Sequence, residues 1–174
     1  MSKLNIITEP DPILRKKSGV IEKIDDELKK LLNNMLETMY DAPGIGLAAV
    51  QIGVLKRIVV IDVSNKDEKK NPLFLINPEI TYKSNSTSVY EEGCLSLPGY
   101  FAEIERPTEC HLNYIDYNGN KKTLKADGLL STCIQHEVDH LNGVLFVDYL
   151  SKLKKDMIIK KLIKQKKELD KVIL

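Results

Sequence analysis

The sequence lacks the features that mark secreted and membrane-spanning proteins. Its three cysteines in 174 residues cannot all pair and do not make a disulfide framework, which favours a reducing compartment. No stretch comes close to the roughly 18 uninterrupted apolar residues that a membrane span requires. The amino-terminal residues also lack the charged head and apolar run of a secretory signal. These absences predict a cytoplasmic protein that does not bind a membrane.

Net charge is small but unevenly placed. The chain carries +1 overall, yet residues 151–174 hold nine lysines against three acidic residues, or +6, which leaves −5 for residues 1–150. A mildly acidic body with a basic tail is not the composition of a dedicated nucleic-acid-binding domain. There is no internal repeat and no low-complexity linker. Residues 1–174 are therefore predicted to form one domain, whose 43% apolar content suffices for a core.

Three segments have the apolar spacing of helices. Between residues 25 and 41, leucines and methionines recur at three- and four-residue steps, with Asp25 as the expected N-cap and Pro43 as the stop. Residues 128–141 are apolar along one side. Residues 153–174 are predicted to form a basic amphipathic helix at the carboxyl terminus.

Strand-like runs lie between the first two helical segments. Residues 57–62 are rich in β-branched side chains, and the run 73–76 is predicted to continue past Pro78 to residue 82. Residues 83–88 are polar and are expected to be an exposed loop.

A hairpin is predicted further along the chain. Residues 110–117 and 121–125 are expected to pair through a type I′ turn at Asn118-Gly119, because that dipeptide readily supplies two positive φ angles. Strands in the middle of the chain, flanked by helices at both ends, predict an α+β fold with mostly antiparallel pairing.

Two histidines with metal-ligand spacing lie in the second helical segment, in Gln135-His-Glu-Val-Asp-His140. Residues four apart on a helix differ by about 40° of rotation and roughly 6 Å of rise, so both rings can bind one metal ion. Glu137 adjoins the first ligand and can act as general acid and base on a water that the metal activates. The alternative is an exposed charged turn, although unpaired charges are costly in a helix this apolar.

The third ligand has several candidates. Phe146 occupies the position at which metzincins carry a third histidine, and Glu168, in the lysine-rich tail, is a weak thermolysin-like candidate. Cys133 lies seven residues before His140, about 10 Å along the helix, and is too far to bind the same ion.

Cys94 is the favoured third ligand. It precedes a Pro-Gly turn and follows Gly93, which lets the backbone come close to a ligand. A thiolate beside two imidazoles forms an open three-ligand set that suits both zinc and iron. Coordination would keep Cys94 deprotonated, so we predict a ligand and not a nucleophile.

Three segments together resemble the bacterial peptide deformylases: Gly44-Ile-Gly-Leu-Ala-Ala-Val-Gln51, Glu92-Gly-Cys-Leu-Ser96 and Gln135-His-Glu-Val-Asp-His140. They occur in the expected order, and the similarity extends from about residue 4 to at least residue 150. The resemblance implies antiparallel strands around the helix that carries the HExxH motif. It also implies removal of the formyl group from the initiator methionine of newly synthesised polypeptides, with release of formate. It further implies one divalent ion per chain, natively Fe(II), which Zn, Ni or Co can replace.

The resemblance also assigns roles to residues around the metal ligands Cys94, His136 and His140. The side-chain amide of Gln51 and the backbone N–H of Leu95 would stabilise the oxyanion, although Gln51 could simply be a polar strand end. Seven residues are expected to bind the substrate. The glycines among them would offer backbone hydrogen bonds and the others would line a methionine pocket, unless they are ordinary core residues: Ile45, Gly46, Tyr90, Gly93, Leu129, Thr132 and Cys133.

Several alternatives stay open at this stage. Glu92 and Arg106 could form an ion pair that braces the cysteine loop, or a surface pair of little consequence. The basic helix 153–174 could dock on the ribosome, as is thought for relatives with such an extension, or pack on the body as a solvated amphipathic helix. A small zinc peptidase and a non-catalytic module with a structural metal are the competing functions. We expect a monomer.

Overall fold

Seven strands and three α-helices follow one another in the computed structural model, which describes residues 2–173. Among these residues, no helix combines the length and apolar character needed to cross a bilayer. The elements in chain order are α1 (Asp26–Asp41), β1 (Gly46–Ala48), β2 (Ile58–Ile61), β3 (Leu73–Lys83), β4 (Thr87–Cys94), β5 (Leu97–Pro107), β6 (Glu109–Ile115), β7 (Lys121–Asp127), α2 (Gly128–Leu141) and α3 (Lys152–Ile173).

The strands form one sheet of five and a separate hairpin. The sheet has the order β1-β2-β3-β6-β7, and β4 pairs only with β5. Every strand pair is antiparallel. The predicted α+β class with antiparallel pairing is therefore confirmed.

Helices cover both faces of the five-stranded sheet where β1 and β2 lie. In β2, Ile58 and Val60 pack in the core beneath α1, whereas Val59 and Ile61 pack in the core beneath α2. A strand that is buried on both faces reads as a continuous apolar run, as residues 58–61 do. This packing fixes α2, the helix with the two histidines, across one face of the sheet.

The helix ends agree with the sequence expectations. The Asp25 carboxylate accepts a hydrogen bond from the N–H of Leu28 at 2.9 Å, so it is the N-cap of α1. The last helix, α3, packs on the β4–β5 hairpin through Leu162, which is 4% exposed, and through its half-buried neighbours Ile158 and Ile159.

Strands β3 and β4 cover most of residues 73–88, where the sequence predicts a strand followed by a loop. The prediction that one strand passes through Pro78 is confirmed, with a register shift between Ile76 and Glu79. The loop expected at residues 83–88 is shorter, because β4 already begins at Thr87. The β4–β5 hairpin as a whole was not predicted, although it carries Cys94.

The predicted type I′ turn at Asn118-Gly119 is wrong. Only Gly119 has a positive φ, of 86°, whereas a type I′ turn needs two such residues. The Asp116 carboxylate accepts hydrogen bonds from the N–H groups of Asn118 and Asn120, each at 2.9 Å. These local bonds stabilise a longer connection, in which the N–H of Gly119 reaches the carbonyl of Asp116.

Candidate active site

Three candidate metal ligands meet where the hairpin approaches α2. His136 and His140 lie one turn apart on α2, and Cys94 is the last residue of β4. Cys94 Sγ lies 3.3 Å from His140 Nε2, and the two Nε2 atoms are 3.3 Å apart. Tetrahedral ligands at about 2.1 Å (nitrogen) and 2.3 Å (sulfur) from one ion lie roughly 3.4–3.6 Å from one another. The three side chains therefore fit a single divalent cation.

The ring of His136 is oriented by a carboxylate. Its Nδ1 lies 2.8 Å from Glu92 Oε1, which leaves Nε2 facing the other two ligands. The ring of Phe146 stacks on that of His136, with ring centroids 6.2 Å apart. Phe146, which occupies the position of the third metzincin histidine, therefore packs on the ring of the candidate ligand His136.

Glu92 and Arg106 form a buried ion pair, and the alternative of a surface pair is wrong. Arg106 is 2% exposed and Glu92 is 6% exposed. The guanidinium donates two hydrogen bonds to the carboxylate, from Nε at 2.7 Å and from Nη2 at 3.0 Å. Burial opposes the charge of Glu92, but hydrogen bonds from His136 and Arg106 hold the pKa of its carboxyl below the ordinary value.

Glu137 places a buried carboxyl beside the ligands. It is 4% exposed, and Oε1 lies 4.0 Å from His136 Nε2. Oε2 has no hydrogen-bond partner among residues 2–173. Burial raises the pKa of Glu137 to about 7, whereas the charge of His136 opposes this shift. A titrating carboxyl in a cleft is typical of a general acid and base.

The amide of Gln51 has one defined orientation. The N–H of Ala48 donates to Oε1 at 2.9 Å, so the NH₂ group faces the other way. It donates to Ser96 Oγ at 3.1 Å and lies 3.6 Å from Cys94 Sγ. Gln51 is therefore not a solvated strand end, and its donor is aimed at the ligand group.

One cavity connects these groups. It has a volume of about 470 Å³ and lies between β1, an edge strand of the sheet, and β4, which pairs on one side only. Of the residues proposed for the site, only His140 is absent from its lining. The predicted residues that line it are Ile45, Gly46, Gln51, Tyr90, Gly93, Cys94, Leu95, Leu129, Thr132, Cys133, His136 and Glu137.

The residues that the sequence predicts to bind the substrate differ in exposure. Ile45 and Leu129 are each 43% exposed, whereas Cys133 and Thr132 are buried. Cys133 Sγ lies 3.8 Å from the carbonyl oxygen of Ile45, and Cys133 is outside the ligand group, as predicted. The ordinary-core alternative therefore does not hold for Ile45 and Leu129.

Several residues of the site were not given a role from the sequence. Ser96 stands in the quoted cysteine segment and holds the Gln51 amide, so the motif itself was the available signal. Phe101 lies against Gly93, where a side chain would meet its ring at 2.5 Å. Asp139 lies within the histidine segment and accepts a hydrogen bond from Arg106. Tyr149, whose hydroxyl donates a hydrogen bond to Asp139, lies outside every quoted segment, so no local sequence pattern pointed to it.

An α+β fold with this site defines a metal-dependent hydrolase. The ligand group comprises three residues in the described part of the chain, whereas a closed structural zinc site needs four. A buried carboxyl and an oriented amide donor lie beside it, and hydrolysis can use groups of both kinds.

Comparison with known proteins narrows this class. Residues 3–156 match the family model described as polypeptide deformylase. The chain is 63% identical to the peptide deformylase of Pelagibacter ubique over 166 residues, which cover 95% of this chain and 96% of that protein. It is 57% identical to the peptide deformylase of Agrobacterium fabrum, covering 91% of this chain and 94% of the relative. The structure of peptide deformylase from Ehrlichia chaffeensis in complex with actinonin has a TM-score of 0.91 and 47% identity, covering 95% of this chain and 98% of that one.

The chain therefore belongs to the peptide deformylase family. The resemblance to bacterial peptide deformylases inferred from three short segments is confirmed over nearly the whole chain. The family is metal-dependent and consists of hydrolases, in agreement with the ligand group described above.

The close approach of Gly46 to Glu137 yields a first prediction. A Cβ at residue 46 would lie 2.5 Å from Glu137 Oε1 and 2.9 Å from Cδ, so Gly46→Ala must displace the carboxyl. We expect formate release from a formyl-methionyl peptide to fall by about 10²–10⁴. We expect the metal content per chain to stay at the wild-type value.

Gly19→Ala is the matched control, because its Cβ would meet its nearest neighbour at an ordinary 3.7 Å. It should leave both measurements unchanged. Full activity of Gly46→Ala would contradict this prediction, because it would show that the reaction does not need the Glu137 carboxyl at its position beside residue 46.

Proposed function

We propose that this chain hydrolyses the formamide bond at the amino terminus of newly synthesised polypeptides, releasing formate and a free methionine amine. Family membership supports the substrate class. The observation that carries the chemistry is the convergence of the ligand group, the buried Glu137 carboxyl and the Gln51 amide on one cavity. We propose that Cys94, His136 and His140 hold the metal. When bound there, a divalent cation would polarise the formyl oxygen and increase the acidity of a water molecule.

Glu137 is proposed to move the proton. Hydrolysis of a formamide requires a base for the attacking water and an acid for the departing amine. One buried carboxyl can serve in both steps, first accepting the proton of water and then donating it to the amine nitrogen. Its free Oε2 and its position beside the ligands support this role.

Gln51 and Leu95 are proposed to bind the oxyanion. Because Ala48 occupies Oε1 of Gln51, the side chain can present only its N–H donors to the substrate. The backbone N–H of Leu95 follows directly after Cys94 and is the second proposed donor. Losing one donor of this kind typically lowers the rate by about 10²–10³.

The cavity suits an extended peptide that begins with methionine. Two strand edges line the cavity, β1 at Gly46 and β4 at Gly93, and can pair with an inserted strand. The side chains between them are proposed to surround the methionine side chain: Ile45, Tyr90, Leu129, Thr132 and Cys133.

The proposal also covers the native metal ion, the cellular compartment and the oligomeric state. A thiolate with two imidazoles accepts iron or zinc, and we propose Fe(II) as the native ion, replaceable by Zn, Ni or Co. The substrate implies the bacterial cytoplasm, where polypeptides are synthesised. We propose one monomeric domain over residues 1–174, because a single chain supplies every group that the reaction needs.

Glu137→Gln tests the reaction and its proton carrier together. With metal content measured on the same anaerobic sample, we expect about one ion per chain and a fall in formate release of about 10²–10⁴. Glu103→Gln, at an exposed residue of β5, is the control and should retain normal turnover.

Normal turnover of Glu137→Gln with its metal retained would contradict the proposed role. Wild-type protein that cleaves internal peptide bonds without releasing formate would instead indicate the zinc peptidase.

We also propose that the basic helix α3 docks on ribosomal RNA. Its apolar side packs on the body through Leu162, while most of its lysines stay exposed. Packing on the body and binding of a polyanion are therefore compatible in this helix. Phosphate contacts of this kind weaken steeply as salt concentration rises.

Charge reversal on α3 tests ribosome docking separately from deformylation. We expect the triple variant Lys164→Glu, Lys166→Glu and Lys167→Glu to lose salt-sensitive cosedimentation with ribosomes while deformylating peptides normally. The control reverses the same charge on β7 with Lys121→Glu, Lys122→Glu and Lys125→Glu. Equal ribosome association of the two variants would contradict docking through α3.

A further inference from the structure

A chain of hydrogen bonds runs from the protein surface to a metal ligand. Tyr149 Oη donates to Asp139 Oδ2 at 2.7 Å, and Arg106 Nη1 donates to the same oxygen at 2.9 Å. Arg106 holds Glu92 with its other donors, and Glu92 Oε1 contacts His136 Nδ1 at 2.8 Å. Tyr149 is 49% exposed, whereas Arg106 is 2% exposed.

Tyr149 contacts this chain in two ways. Its hydroxyl meets Asp139, and its ring lies under the guanidinium of Arg106, 4.7 Å from the Cζ atom. A tyrosine hydroxyl is protonated at neutral pH and donates to Asp139, and burial and the Asp139 carboxylate raise its pKa further. Tyr149 ends the short 3₁₀ turn that also contains Phe146, which stacks on the ring of His136.

The geometry of Arg106 decides how Glu92 meets His136. Nη1 is committed to Asp139, so Nε and Nη2 remain in line with the two carboxylate oxygens of Glu92. A carboxylate on the second nitrogen of a ligand histidine fixes its tautomer and raises its basicity. Release of Asp139 would let the guanidinium turn and would loosen this alignment.

We propose that Tyr149 is a positioning residue for His136, which acts through Asp139, Arg106 and Glu92 and thereby sets how long the divalent cation stays bound. The proposal rests on the metal site proposed above and is independent of the substrate. A purely structural tyrosine that is half exposed would alter stability slightly and leave metal release unchanged.

Release of Co²⁺ tests this relay without measuring activity. Tyr149→Phe keeps the ring under Arg106 and removes only the hydroxyl, so we expect Co²⁺ loss to a chelator to be about threefold to tenfold faster. Tyr149→Leu removes the ring as well, and we expect acceleration of up to about 100-fold. The visible spectrum of the bound Co²⁺ should shift in both variants.

Tyr82→Phe is the matched control. Tyr82 is 48% exposed on β3, where its ring centroid lies 4.6 Å from that of His111, and the substitution should leave the release rate and the spectrum unchanged. Urea midpoints of all variants, measured without metal, would show whether the fold is retained.

A double-mutant cycle tests the route. Asp139→Ala removes the partner of the tyrosine hydroxyl, so Tyr149→Phe should add no further acceleration in that background. The proposal is overturned if Tyr149→Phe releases Co²⁺ at the wild-type rate, or if the two effects add fully. Wild-type protein that binds no Co²⁺ would overturn the metal site itself, and one that binds Co²⁺ but releases no formate would overturn only the proposed activity.

Discussion

The buried pair of Glu92 and Arg106 is the interaction on which the active site depends. Both residues belong to the β4–β5 hairpin, and each also bonds to α2: Glu92 to His136 and Arg106 to Asp139. Cys94 follows Glu92 by two residues, so the bonds that join the hairpin to α2 also bring its sulfur to the histidines. A charged pair this deeply buried stabilises little by itself, because the loss of hydration offsets the attraction. Its effect is to fix one alignment of two separate elements.

The apolar core makes this polar centre possible. Strands β1 and β2 are buried on both faces, and α2 contributes Ile134, Val138 and Leu141 to the core on one side. The same helix buries His136 and His140 towards the hairpin and Glu137 against Gly46 of β1. Buried polar groups of this kind lower stability unless they are paired. The well-packed sheet tolerates that loss, as is typical where local rules are broken at a functional site.

Sequence reasoning succeeded where the signal is local. The N-cap of α1, the apolar run of β2 and the histidine spacing on α2 each depend on residues close together in the chain. The hairpin was missed because its buried side packs on α3 and Phe146, which follow it by some forty residues or more. The turn at Asn118 was mistaken because the Asp116 carboxylate offers a competing set of hydrogen bonds. Tyr149 and Arg106 are in contact although they lie 43 residues apart in the chain, so no periodic pattern in the sequence predicts this contact.

One measurement identifies the metal ligands directly. X-ray absorption at the metal edge of the loaded protein should show one sulfur at about 2.3 Å and two imidazole nitrogens at about 2.0–2.1 Å. The sulfur contribution should vanish in Cys94→Ser and persist in Cys133→Ser, whose residue lines the same cavity without joining the ligand group. A metal-loaded wild-type protein without sulfur coordination, or a sulfur signal that disappears with Cys133 and not with Cys94, would contradict the site described here.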